Sequence, residues 1–283
     1  MTSVQSTPAR QDSLSLALSD PRGEGVPILF VHGFSHNRSV WSILCESLPE
    51  RWRPVAVDLR GHGESPWSPE GAYDLADYAI DLRGTLDTLG ISDVHLVGHS
   101  LGGNVCTLFA AKSARRVRSL TLVDTGPMLA AAGSAQIVDE VDAGLRSYAS
   151  VAEFRTQLGL IQPQGDPGVL DRLAASSVVR RLDGRYEWAL DPGVLGEGQG
   201  IVDMGAIERT LWSALGQLDS PVLVVRGELS SILSEKVARE MVDETLGQGR
   251  LETLPRAGHA VMVDEGEALR DCLVDFLESV DRV

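Results

Sequence analysis

The chain has 283 residues, 43% hydrophobic and 23% charged, enough for one large core or a core with an inserted lobe. Acidic residues outnumber basic ones 40 to 25, a formal net charge of −15, which argues against nucleic acid or an anionic membrane as partner. Cys45, Cys106 and Cys272 are sparse, odd in number and without metal-ligand spacing. With no basic segment leading into an apolar one near Met1 and no run of transmembrane length, the expectation is a cytoplasmic protein with reduced thiols, no metal and no membrane contact.

Residues 1–11 are polar. Ser13-Leu14-Ser15-Leu16-Ala17-Leu18 alternates at period two and predicts a half-exposed edge strand, closed by a turn at Asp20-Pro21-Arg22-Gly23. Ile28-Leu29-Phe30-Val31 is a continuous apolar run, as expected of a strand covered on both faces of a parallel sheet. Val55–Val57, Val94–Val97, Leu120–Val123 and Val222–Val225 repeat that signal. Between them, Leu75, Tyr78, Ala79, Leu82, Leu86 and Leu89 recur at helical spacing behind Asp74 as N-cap, and Leu269, Cys272, Leu273, Phe276, Leu277 and Val280 do so near the C-terminus. Buried strands alternating with helices predict an α/β fold with a doubly wound, mostly parallel sheet.

The alternation stops between Val123 and Pro221. A structureless loop of that length is improbable in a compact domain, so the stretch predicts an inserted helical cap, with helices near 136–147, 150–158, 167–182 and 203–216. The expected organisation is a core of residues 1–126 and 217–283 and a cap of residues 127–216, placed where α/β sheets bind ligands. Leu145, Tyr148, Phe154, Trp188 and Trp212 would line an apolar pocket there or form the core of the lobe itself.

The chemistry centres on Gly98-His99-Ser100-Leu101-Gly102-Gly103, a G-x-S-x-G between a predicted strand and a predicted helix, the context of a nucleophile elbow. A serine hydroxyl needs a base, and the chain offers His32, His36, His62, His95, His99 and His259. His99 adjoins the serine on a tight turn that aims it elsewhere, and His95 lies inside a strand. His259 follows the strand-like Arg250-Leu251-Glu252-Thr253 in a loop, at the sheet edge that also carries Ser100, which makes it the candidate base. An oxyanion requires two preorganised donors; the N–H groups of Leu101, at a helix N-terminus, and of Phe34, in His32-Gly33-Phe34, are the candidates.

Val31-His32-Gly33-Phe34, Asp58-Leu59-Arg60-Gly61-His62-Gly63-Glu64-Ser65, the serine motif, Val123-Asp124-Thr125-Gly126-Pro127 and Gly258-His259 together resemble the ordered motifs of the α/β-hydrolase superfamily, within it the capped esterase- and lipase-like serine hydrolases. The resemblance spans residues 13–127 and 217–281. It implies a structural role for the Asp58–Ser65 turn, and serine at position 100 speaks against haloalkane dehalogenases and epoxide hydrolases, which carry aspartate there. It also implies a carboxylate a few residues past the strand Val222–Val225, yet Ser230 and Ser231 stand at that place. Asp124, which ends the preceding strand, is the first candidate acid, Glu228 the second, and a dyad without an acid the third. These features imply a cofactor-independent serine hydrolase acting on a carboxylic ester of a small or medium-sized molecule. The alternatives are a C–C bond, lactone or thioester hydrolase with the same machinery, or a small-ligand-binding protein on a decayed scaffold.

Overall fold

The computed structural model describes residues 13–19, 24–128, 146–195 and 203–282. β1 (Val26–Val31) lies inside the sheet, paired in parallel with β2 (Trp52–Val57) on one side and β3 (Val94–His99) on the other. β4 (Val117–Val123) follows in the same sheet. β5 (Val178–Arg180) and β6 (Tyr186–Trp188) form a separate antiparallel hairpin, and β7 (Val222–Gly227) and β8 (Gly249–Leu254) complete the main sheet in the order β2-β1-β3-β4-β7-β8. Every pairing in that six-stranded sheet is parallel, the doubly wound α/β arrangement expected.

The continuous apolar runs have a direct physical origin. Successive strand side chains point to opposite faces, and both faces are covered. Leu29 and Val31 enter one apolar cluster with Leu96, Leu120 and Val224, while Ile28 and Phe30 enter the other with Val97, Leu223 and Val225. α1 (Ser42–Ser47) contributes Leu44 to the second cluster. α2 (Leu75–Thr88) and α3 (Leu101–Lys112) cover the first through Tyr78, Leu82, Val105 and Phe109.

Ser13–Leu18 departs from the expected edge strand. Leu18 makes one antiparallel bridge to Val57, but the Leu14 N–H donates to Asp81 Oδ1 and the Ala17 N–H to Ser65 Oγ. Side chains take the donors that a ladder would have used.

The insertion carries α4 (Val151–Ile161) and α5 (Pro167–Ser176) where helices were expected, while residues 136–145, including Leu145, lie outside the described set. Two expectations change. The helix predicted to run to 182 ends at Ser176, because β-branched Val178 and Val179 pair with Tyr186–Trp188 across a turn at Asp183-Gly184, where Gly184 has φ +85°. The insertion is therefore not purely helical. The segment expected to roof the sheet near 203–216 forms α6 (Met204–Leu215), which packs beside α3 and sends Leu211, Ala214 and Leu215 into the first core cluster, with Trp212 against it. Tyr148, Phe154 and Trp188 pack edge-on with centroid separations of 5.1 and 6.1 Å, and they belong to the second core cluster with Ile28 and Phe30 instead of forming a separate core for the lobe. The C-terminal α7 (Gly266–Asp281) covers the second face through Leu269, Leu273, Phe276 and Leu277. Among the described residues no helix is long and apolar enough to cross a membrane.

Candidate active site

Parallel register brings distant parts of the chain to one edge. His99 pairs with Val123, Val123 with Val225, and Gly227 with Leu254, so the residues following β3, β4, β7 and β8 emerge side by side. Ser100, Asp124, Ser230 and His259 all lie just beyond these strand ends.

Ser100 joins β3 to α3 with φ 50° and ψ −120°, a conformation that a residue bearing a side chain occupies at about 1–3 kcal/mol. The surroundings enforce it. The Ser100 carbonyl accepts the Asn104 N–H at 3.1 Å and sits 2.9 Å from the Thr125 hydroxyl, which also lies 3.1 Å from Asn104 Oδ1. A Cβ on Gly102 would stand 2.4 Å from the His32 carbonyl oxygen, so only glycine lets α3 start this close to β1.

Asp124 is fully buried and also has positive φ, 47°. Its Oδ1 accepts the Gly227 N–H at 3.0 Å; its Oδ2 accepts the Ser230 hydroxyl at 2.5 Å and meets His259 Nδ1 at 2.7 Å. A buried carboxylate without donors would be strongly destabilising, and this one has three. Where the carboxylate is ionised it only accepts, and a neutral His259 ring donating through Nδ1 then carries its lone pair on Nε2. Of the two carboxylates weighed, Glu228 is the one that does not reach His259: it is exposed, and its backbone N–H is tied to the Leu254 carbonyl at 2.9 Å.

The loop after β1 lies against the serine. A Cβ on Gly33 would be 3.0 Å from Ser100 Cβ and 2.5 Å from His99 Nδ1. Phe34, next in that loop, is half-buried, and the Leu101 N–H belongs to the first turn of α3, where no intrahelical acceptor exists. The loop's shape is set by His32, whose Nε2 accepts the Leu59 N–H at 2.9 Å while Nδ1–H donates to the Gly33 carbonyl at 2.7 Å. Burial, with His36 and Arg38 nearby, pushes the His32 imidazole down to about 3, so it stays neutral.

The remaining histidines divide by place. His95 bonds Ser119 at 2.7 Å and Asp281 at 3.2 Å, and His62 Nδ1 lies 2.9 Å from the Arg60 carbonyl, both away from Ser100. His99 is turned toward His259: Nε2–H donates to the His259 carbonyl at 3.0 Å, and the ring centroids are 4.5 Å apart. Its burial, and then the neighbouring His259 and His36, hold its titration well below the ordinary value. His36 stacks 5.6 Å beyond His99 and reaches Gln162 of the insertion at 3.4 Å. Asn37 Nδ2 donates to Ser177 at 2.9 Å, and Asp191 N–H to the Gly61 carbonyl at 2.8 Å, so the lobe is anchored to the loops following β1 and β2. A cavity of about 710 Å³ between Ile43, Val169, Met262 and Arg270 opens elsewhere, and Ser100 does not line it.

Sequence reasoning missed the contacts of Ser230 with Asp124, of Thr125 with the Ser100 carbonyl and of His99 with the His259 carbonyl. The signal for Ser230 was its place, the position where a carboxylate was expected.

The α/β-hydrolase fold family model matches residues 26–266. The chain belongs to that family. A 2-(acetamidomethylene)succinate hydrolase of Mesorhizobium japonicum is 32% identical over 213 residues, covering 75% of this chain and 74% of that protein. The crystal structure of an E-2-(acetamidomethylene)succinate hydrolase superposes on this α/β-hydrolase with a TM-score of 0.81 at 27% identity, covering 94% and 96% of the two chains. A pimeloyl-[acyl-carrier protein] methyl ester esterase of Neisseria meningitidis is 27% identical over 260 residues, 89% of this chain and 94% of that enzyme. These relatives of this α/β-hydrolase are hydrolases, an esterase among them.

Proposed function

We propose that this α/β-hydrolase cleaves a carboxylic ester through an acyl-enzyme formed on Ser100, without a cofactor. The observation that carries the reading is the 2.7 Å contact between Asp124 and His259 Nδ1, which leaves Nε2 as a base at the edge where Ser100 sits. Nε2 takes the Ser100 proton as Oγ attacks the carbonyl carbon, and the carbonyl electron pair moves onto oxygen, where the Phe34 and Leu101 N–H groups receive it. Collapse breaks the bond to the leaving alkoxide, which takes the proton back from His259. Water, deprotonated by the same nitrogen, then releases the acid and restores Ser100. Asp124 holds the imidazole in the tautomer this requires and opposes its transient positive charge.

The methyl ester esterase relative supports the ester reading. A ligand-binding role on a decayed scaffold drew its support from a missing acid, and Asp124 at His259 favours catalysis over it. A second reading, hydrolysis of a molecule of the 2-(acetamidomethylene)succinate type, is favoured by the 0.81 TM-score.

The test is p-nitrophenyl butyrate hydrolysis and fluorophosphonate labelling by wild type, Ser100→Ala and His259→Ala. Each variant is expected to lose about 10³-fold or more in kcat, and Ser100→Ala all labelling. A wild-type rate in either variant overturns the mechanism. Rapid labelling of wild type without turnover of any simple ester favours the second reading.

A further inference from the structure

We propose that Ser230 is a positioning residue for Asp124, an inference that rests on the Ser100–His259 mechanism above. Ser230 Oγ accepts two backbone donors, the N–H groups of Ile232 at 3.1 Å and Leu233 at 3.3 Å. With its lone pairs engaged, the hydroxyl has one direction left for its proton, and Asp124 Oδ2 lies there at 2.5 Å. The Ser230 N–H donates to the Gly227 carbonyl at 3.1 Å, and the Gly227 N–H donates to Asp124 Oδ1 at 3.0 Å. One turn after β7 therefore grips both carboxylate oxygens and leaves on Oδ2 the approach that His259 uses.

The chemistry follows from sharing that oxygen. A second donor on Oδ2 draws charge away from the proton shared with His259, so Ser230 moderates how strongly Asp124 favours the cationic imidazole while fixing the carboxylate plane. The expected carboxylate is absent from this turn, and the serine in its place supports a carboxylate brought from the neighbouring strand.

The experiment compares wild type with Ser230→Ala, Ser230→Thr and Ser230→Cys. Two readouts are used: the low-field proton NMR resonance of His259 Nδ1–H followed through pH, and p-nitrophenyl butyrate kinetics. In Ser230→Ala the resonance is expected to move, the midpoint of its titration and the acidic limb of kcat/KM to rise by roughly half a pH unit. Its kcat should fall roughly tenfold with KM changed by less than about twofold. Threonine, which keeps the hydroxyl, restores both readouts. Cysteine, a weaker donor of similar size, shifts them the same way by less. The other titratable groups facing His259 are His99, His36 and Asp264, which all variants retain. If neither the alanine nor the cysteine variant moves the resonance, the midpoint or kcat, the proposal is wrong. A resonance that moves in a protein hydrolysing no ester supports the role of Ser230 and sinks the ester reading alone.

Discussion

Oδ2 of Asp124 and Nδ1 of His259 lie 2.7 Å apart although 135 positions separate them in the chain. Strand order makes the meeting possible: β4 neighbours β7 and β7 neighbours β8, so the residue after β4 and the loop after β8 flank the turn after β7. That turn supplies Gly227 and Ser230 to the same carboxylate.

Asp124→Asn removes the charge and offers His259 Nδ1 an amide in its place. The expected loss is about 10³–10⁴-fold in kcat on p-nitrophenyl butyrate, since an amide permits the wrong imidazole tautomer. Glu228→Gln, on an exposed side chain, should stay within about twofold of wild type. Equal losses in the two variants would contradict the assignment of the acid. Adding Ser230→Asp to Asp124→Asn should recover part of the activity, because position 230 already reaches that carboxylate.

Gly33→Ala places a methyl group 3.0 Å from Ser100 Cβ and 2.5 Å from His99 Nδ1. The loop carrying Phe34 must retreat, and losing one oxyanion donor is expected to lower kcat by about 10²-fold or more while the fold persists. Stopped-flow acylation measures it; an unchanged acylation rate would remove Phe34 from the mechanism.

Histidines that burial holds below the ordinary value, His32, His36, His62, His95 and His99, make stability depend on pH. Burial lowers His32, His36 and His62 from 6.5 to about 3 in the folded chain. Above 6.5 both states hold these rings neutral and the stability is fully present. Below 6.5 the unfolded chain binds protons that the folded chain refuses, so stability falls as pH drops toward 3, by up to about 1.4 kcal/mol per pH unit for each ring. Urea unfolding between about pH 7 and pH 5 should show the midpoint falling with acidification. A flat midpoint would mean the rings are not held neutral.

Phe154 links Tyr148 to Trp188 and is 1% exposed. Phe154→Ala opens a cavity where the insertion joins the second core cluster and should destabilise by about 3–5 kcal/mol in thermal or denaturant unfolding. If the lobe melts on its own, the loss will register in proteolysis of the insertion before the sheet unfolds.

How far residues could be read forward depended on the range of the interaction. Ile28–Val31, Val94–Val97, Leu120–Val123 and Val222–Val225 announce central strands because burial on both faces demands unbroken apolar runs. The Ser100 turn is equally local, its glycines and the helix behind it being adjacent in the chain. His259 could be named from its place after β8. Between Val179 and Tyr186, Asp183-Gly184 turns a hairpin where a helix to 182 was expected, and periodicity over three-residue strands is too short to show it.

The sequence by itself determined the parallel sheet, the strained serine and a short list of partners, because those follow from side-chain pattern and turn chemistry within a few residues. Only the tertiary structure decided which carboxylate meets His259, that Ser230 grips it, and that Met204–Leu215 lies beside α3 instead of in the roof. Those outcomes depend on which strand ends become neighbours and on who donates to a buried oxygen, and a contact between residues a hundred or more apart leaves no local trace.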